Sequence, residues 1–134
     1  MLEYLEKHKK KLVYIPLIIY WIILLIATSL PGKDMPDLPV SDKIEHFSAY
    51  CILTIFLTFT VLLQNKYNIL KKHAFIFTWV LVAIYGALDE LHQLFIPGRD
   101  CDILDWTADA SAALFGVLLV FFIVKGVRHK LRKT

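Results

Sequence analysis

Four long apolar segments dominate the sequence and limit what the chain can fold into. They cover about residues 12–30, 43–63, 74–96 and 103–124. Each is close to the roughly 20 residues that a helix needs to cross a bilayer core. Hydrophobic residues make up 57% of the 134 residues, more than a soluble domain of this size could bury. The sequence therefore predicts an all-α integral membrane bundle of four transmembrane helices, forming a single domain over residues 1–134.

The first apolar segment follows a run of lysines, an arrangement that also occurs in signal peptides. It is too long for the apolar region of a signal peptide and lacks a small-residue cleavage site. We therefore expect it to be retained as the first membrane span.

The positions of the basic residues predict the orientation of the bundle. Of the 15 lysines and arginines, 12 lie before the first span, between the second and third, or after the fourth. The other three are Lys33, Lys43 and Arg99. Because lysine and arginine stay preferentially on the cytoplasmic side, we expect both termini in the cytoplasm and loops 31–42 and 97–102 outside. This places the chain in the cell membrane as a multi-pass protein.

Cysteine labelling in intact cells tests this topology. In a background without Cys51 and Cys101, we expect Lys33→Cys to react with an impermeant reagent and Lys130→Cys to react only after permeabilisation. The reverse pattern would show that the bundle is inverted.

Polar residues collect at three span ends that this topology brings to the outer face. They are residues 42–46 (DKIEH), 89–93 (DELHQ) and 102–109 (DILDWTAD). The uninterrupted apolar stretch of the third span has only 15 residues, 74–88, so we expect that helix to continue through Gln93. An ionisable side chain at the bilayer centre costs about 2.5–3.5 kcal/mol on insertion scales. Several such groups together predict mutual pairing, a bound ion or a water-filled pocket.

Helical spacing groups these side chains, and their chemistry suggests candidate roles. Residues four apart on a helix share a face, as do residues three apart. The candidates for acid–base catalysis are His46, Glu90 and Asp105. The candidates for substrate binding are Arg99, Gln93, Asp109 and Asp42. A divalent cation held by His46, Glu90, Asp105 and Asp109 is an alternative, with oxygen ligands favouring Mg²⁺, Ca²⁺ or Mn²⁺.

Plainer structural roles compete with each of these assignments. Asp42 and Asp102 are placed to cap their helices. Asp89 and His92 are expected to face the outer water, and Tyr50 and Trp106 to be packing or interfacial aromatics. The candidates for a site would then form an internal ion-pair network with no function beyond stability.

The ordered set of polar motifs resembles the VanZ-like family, named for a teicoplanin-resistance protein. The resemblance covers about residues 41–116 and rests on four motifs: Asp42-Lys43-x-x-His46, Glu90-x-x-Gln93, Pro97-Gly98-Arg99, and Asp105 followed four positions later by a polar residue. Two positions depart, because many members have Asn in place of Asp109 and Gly in place of Ala112. Asp109 therefore adds a charge that many members lack.

Two classes of function are compatible with these residues. One is a cell-envelope membrane enzyme or binding protein acting at its outer face on lipid headgroups or lipid-linked phosphates, with Arg99 holding phosphate. The other is a non-catalytic membrane binding or assembly protein, which the resemblance links to lipoglycopeptide (teicoplanin) susceptibility. The expected partner is a membrane lipid or lipid-linked envelope precursor. Nucleic acid is not expected, since the basic residues follow membrane topology.

Overall fold

The computed structural model describes residues 2–34, 41–131 and 133, and all regular secondary structure within them is helical. The α-helices are α1 (Leu2–Lys7), α2 (Ile15–Thr28), α3 (Asp42–Leu63), α4 (Asn68–Lys72), α5 (Ala74–Gln93) and α6 (Ile103–Leu131). A π-helical turn, Lys10–Tyr14, leads directly into α2.

Four helices in the described residues are long and apolar enough to cross a membrane. They are Lys10–Thr28, Asp42–Leu63, Ala74–Gln93 and Ile103–Lys130. The predicted four-helix membrane bundle is therefore confirmed, and the orientation of its termini stays a prediction. The outer loop predicted over residues 31–42 lies partly outside the described residues.

The helix ends differ from the predicted segments in two places. α5 continues through Gln93, as its short apolar stretch predicted, but it ends there rather than at residue 96. A turn follows, and Gly98 takes a φ of 74°, a conformation that favours glycine. α6 continues to Leu131, well beyond residue 124, with Arg128, His129 and Lys130 in its last turn. Basic side chains at this end interact favourably with the helix dipole and can project beyond the apolar core.

The bundle is held together mainly by α6, which packs against both α3 and α5. α6 approaches α3 closely at Gly116, where an added Cβ would lie 3.0 Å from Thr54 Cβ. Ala108, Ala112 and Gly116 lie four positions apart on α6 and form a row of small residues, which allows close helix packing. α2 is more peripheral: 17% of its span is buried, against 33–39% for the other three.

One end of the bundle, hereafter the polar end, gathers the starts of α3 and α6 and the end of α5. The Gly32 backbone N–H donates to the Pro97 carbonyl at 3.0 Å, tying the segment after α2 to the turn after α5. All the polar motifs found in the sequence lie at this end.

Candidate functional site

His46 on α3 lies between two buried carboxylates contributed by different helices. Its Nδ1 is 3.1 Å from Asp109 Oδ1 on α6 and 3.7 Å from Glu90 Oε1 on α5. The three residues, hereafter the buried triad, are 7%, 0% and 3% exposed. The structure thus brings together side chains that are 44 and 63 positions from His46 in the sequence.

Two hydrogen bonds from groups other than His46 hold the Glu90 carboxylate in place. Its Oε2 accepts the Asp102 backbone N–H at 3.0 Å, at the start of α6. Its Oε1 accepts the Gln93 side-chain amide at 3.4 Å. These contacts orient the carboxylate so that Oε1 faces His46.

Asp109 is fully buried, yet only one of its oxygens has a partner. Oδ1 faces His46, whereas Oδ2 forms no hydrogen bond within the described part of the chain. Gly86 on α5 makes room for this side chain, because a Cβ there would lie 3.0 Å from Asp109 Oδ2 and 3.3 Å from Tyr50 Cε1. A buried carboxylate oxygen without a partner is unusual and calls for a physical explanation.

Lys43 bridges two acids of α6 at the outer edge of the triad. Its Nζ donates to Asp102 Oδ2 and to Asp105 Oδ1, both at 3.0 Å. Asp102 also accepts the Leu104 backbone N–H at 2.8 Å, which confirms it as the N-cap of α6. This N–H, together with Lys43, holds the pKa of Asp102 below its usual range. Lys43 belongs to the first sequence motif, but its position there did not indicate this bridging role.

The expectation that Asp89 faces outer water was wrong. Asp89 is 4% exposed, and its Oδ2 accepts the Tyr50 hydroxyl at 2.9 Å. Tyr50, expected to be a packing aromatic, is also buried and lies parallel to the His46 ring. The position of Asp89 three residues after Gly86, on the buried face of α5, was the signal that could have predicted this. His92 is exposed, as expected.

A small cleft of about 90 Å³ lies beside the triad, between α2 and α3. Its lining residues are Leu24, Ala27, Thr28, Asp42, Glu45, His46, Ala49, Tyr50 and Arg99. Asp42 is exposed here and does not cap α3, because Ser41 occupies the N-cap position and no side-chain hydrogen bond is formed there.

Arg99 is attached to the cluster through an amide and not through a carboxylate. Its Nε donates to Gln93 Oε1 at 3.1 Å. Among the described residues, neither Glu90 nor Asp105 lies within ion-pair distance of its guanidinium. No ion pair in the described part of the chain therefore supports a role for Arg99 that is limited to neutralising one of these acids.

Two groups in the described residues have the ligand geometry for a metal ion. One is the buried triad, and the other combines Asp42, His46 and Asp105; in each, the ligand atoms lie within 4.8 Å of one another. Asp105 is already held by Lys43 and Asp42 is exposed, so the triad is the better enclosed of the two.

The arrangement as a whole can support three kinds of chemistry. A histidine whose Nδ1 is held by a carboxylate is oriented for acid–base chemistry. One imidazole and two carboxylates can ligate a cation. A guanidinium at the mouth of the cleft can contact an anion. The catalytic, binding and metal roles assigned from the sequence remain predictions.

Comparison with known proteins identifies the family. No curated protein and no solved structure matches the chain. A family model described as VanZ/LLP1 matches residues 10–124, which include the first three spans, most of the fourth and every residue of the polar end discussed above. The resemblance noted in the sequence is thus confirmed over most of the chain, and the four apolar helices fit a multi-pass membrane protein. The chain belongs to the VanZ/LLP1 family.

Proposed function

We propose that the chain binds the phosphate-bearing head of a lipid or lipid-linked molecule at its polar end. The observation that carries the proposal is the cleft, which has walls of two kinds. Leu24, Ala27 and Ala49 form an apolar wall, while the polar wall is formed by Asp42, Glu45, His46 and Arg99. A lipid headgroup joined to its chains presents the same combination of polar and apolar surfaces.

Arg99 is the anion contact in this proposal. It lines the cleft, and Gln93 holds its Nε without neutralising its charge. Guanidinium groups bind phosphate through paired N–H donors, which a lysine cannot reproduce. Lys43, at the same end of the bundle, is already shared by two acids.

The size of the cleft limits what can enter. Its volume of about 90 Å³ is well below the roughly 300–1,000 Å³ of pockets that enclose a drug-sized ligand. A phosphate-sized group is therefore the part that is bound, and the hydrocarbon chains remain in the bilayer beside α2. With the orientation expected from the basic residues, the lipid comes from the outer leaflet.

Substitution of Arg99 with glutamine is expected to weaken binding of phosphate-bearing lipids by about 10- to 100-fold. A hydrogen bond to a charged group contributes about 1.5–3 kcal/mol, which corresponds to that range. Binding is measured with purified protein in nanodiscs, using phosphatidylglycerol and undecaprenyl phosphate, with diacylglycerol as the neutral comparison.

The matched control is Lys33→Gln, which removes a positive charge from an exposed residue at the same end. We expect it to leave affinity nearly unchanged. Equal affinity of wild type and Arg99→Gln, or equal binding of the neutral lipid, would contradict the proposal.

A non-catalytic binding or assembly role, including one linked to lipoglycopeptide susceptibility, is the second candidate. This candidate is favoured because buried acids of the polar end already have partners. Asp89 accepts a hydrogen bond from Tyr50, and Asp105 forms an ion pair with Lys43. Incubating the same lipids with the protein and analysing them for products separates binding from turnover.

A further inference from the structure

We propose that the buried triad is a divalent-cation site that takes Mn²⁺ or Zn²⁺. The inference rests on the proposed function, since a cation would let phosphate approach an end of the bundle that is rich in carboxylates. Ion binding can nevertheless be measured with no lipid present.

The distances within the triad are close to those between neighbouring ligands of a bound ion. Manganese and zinc bind imidazole and carboxylate at about 2.0–2.2 Å, which places neighbouring ligand atoms about 3–3.6 Å apart. His46 Nδ1 lies 3.1 Å from Asp109 Oδ1 and 3.7 Å from Glu90 Oε1. One ligand comes from each of α3, α5 and α6, so the ion would join the three helices.

The unpartnered oxygen of Asp109 is a second and independent observation. The side chain is 0% exposed, and Oδ2 has no hydrogen-bond partner among the described residues. An ion pair with His46 satisfies Oδ1 alone. A chelated divalent cation would engage both oxygens of the carboxylate, and so removes the cost of leaving one unpaired in the core.

The charge of a divalent ion also matches that of the two carboxylates. A protonated His46 facing two ionised carboxylates leaves one negative charge unbalanced in a buried site. A neutral His46 with two carboxylates and one divalent cation has no net charge.

The contacts around Glu90 resemble those that orient metal ligands. The Asp102 backbone N–H and the Gln93 side-chain amide donate hydrogen bonds to the carboxylate. Removing such supporting contacts typically changes metal affinity 10- to 100-fold. The mixture of one nitrogen and two oxygen donors selects against Ca²⁺, which prefers six to eight oxygens. It suits Mn²⁺ and Zn²⁺.

The test is metal binding by the full chain in detergent after removal of ions with a chelator. We expect one Mn²⁺ or Zn²⁺ per chain by titration and elemental analysis. Glu90→Gln and Asp109→Asn should each weaken binding by more than about 100-fold, since they alter ligands rather than supporting groups. Co²⁺ bound to the wild type should give a visible spectrum typical of mixed nitrogen and oxygen ligands.

Asp89→Asn is the matched control, because Asp89 is equally buried and adjacent to Glu90 but outside the triad. Its affinity should stay within a few-fold of wild type. Absence of binding to the wild type, or an equal loss in Asp89→Asn, would overturn the cation site. Phosphate-lipid binding at full strength in metal-free protein would overturn the cation's part in lipid binding and leave the proposed function standing. Ion binding without any lipid affinity would instead overturn the proposed function alone.

Discussion

Replacement of His46 with phenylalanine is expected to lower the free energy of unfolding by about 3–5 kcal/mol, the usual cost of removing one partner from a buried ion pair. His46 separates the Glu90 and Asp109 carboxylates, and both are almost fully buried. Without the imidazole these acids face each other with no cation between them. Thermal or denaturant unfolding in detergent, followed by circular dichroism, measures the change.

His92→Phe is the control for this substitution, because His92 is exposed near the same end of the bundle. Surface substitutions of this kind usually change stability by less than about 0.5 kcal/mol. A loss of stability at His46 no larger than that at His92 would show that the triad carries no buried charge.

A triple variant, His46→Phe with Glu90→Leu and Asp109→Leu, separates a stabilising role from a functional one. Replacing a complete buried ionic group with apolar residues is often neutral or stabilising. If the triad exists for function, this variant should recover most of the stability lost in His46→Phe while binding neither ion nor phosphate lipid. If the triad is a structural network, the variant should remain clearly less stable than the wild type.

The spans could be predicted from the sequence because a bilayer demands long uninterrupted apolar segments. The same length argument correctly extended α5 through Gln93. Helical spacing also accounts for the burial of Gly86, Glu90 and Gln93, since residues three or four apart share a face. Each of these features could be predicted because it depends on a single helix and its surroundings.

The contacts between helices could not be predicted in the same way. Spacing within one helix does not fix its rotation relative to its neighbours. Spacing from Gly86 could have placed Asp89 on the buried face of α5, but its contact with Tyr50 depends on how the helices pack. The bridge from Lys43 to two acids of α6, and the link from Arg99 to Gln93, depend equally on tertiary packing. Asp102 and Asp42 both occupy positions in the sequence that predict a helix cap. Asp102 caps α6, whereas Asp42 does not cap α3.

Gly86 connects this packing to the site. Its lack of a side chain allows α5 to approach α6 at the depth of Asp109, and no other residue type would leave the same space. The closeness of the two helices sets the position of Asp109 relative to His46. The geometry of the triad should therefore be sensitive to a residue that has no chemical role of its own.

Substitution of Gly86 with leucine is expected to destabilise the bundle by about 1–3 kcal/mol, the usual cost of overpacking a core. The first added atom alone would lie 3.0 Å from Asp109 Oδ2 and 3.1 Å from its Cβ. To make room, Asp109 must move, and its alignment with His46 is lost. Unfolding in detergent measures the stability, and titration with Zn²⁺ or Mn²⁺ measures whether the triad is intact.

Gly126→Leu provides the matched comparison, because Gly126 is also on a helix and an added Cβ there meets nothing within 4 Å. Leucine favours a helix by up to about 1 kcal/mol over glycine, so this variant should be as stable as the wild type or slightly more stable. The two substitutions make the same chemical change, and they differ only in the space available. If Gly86→Leu matched Gly126→Leu in stability and in ion affinity, α5 and α6 would not be in close contact at Asp109, and the geometry assigned to the triad would have to be abandoned.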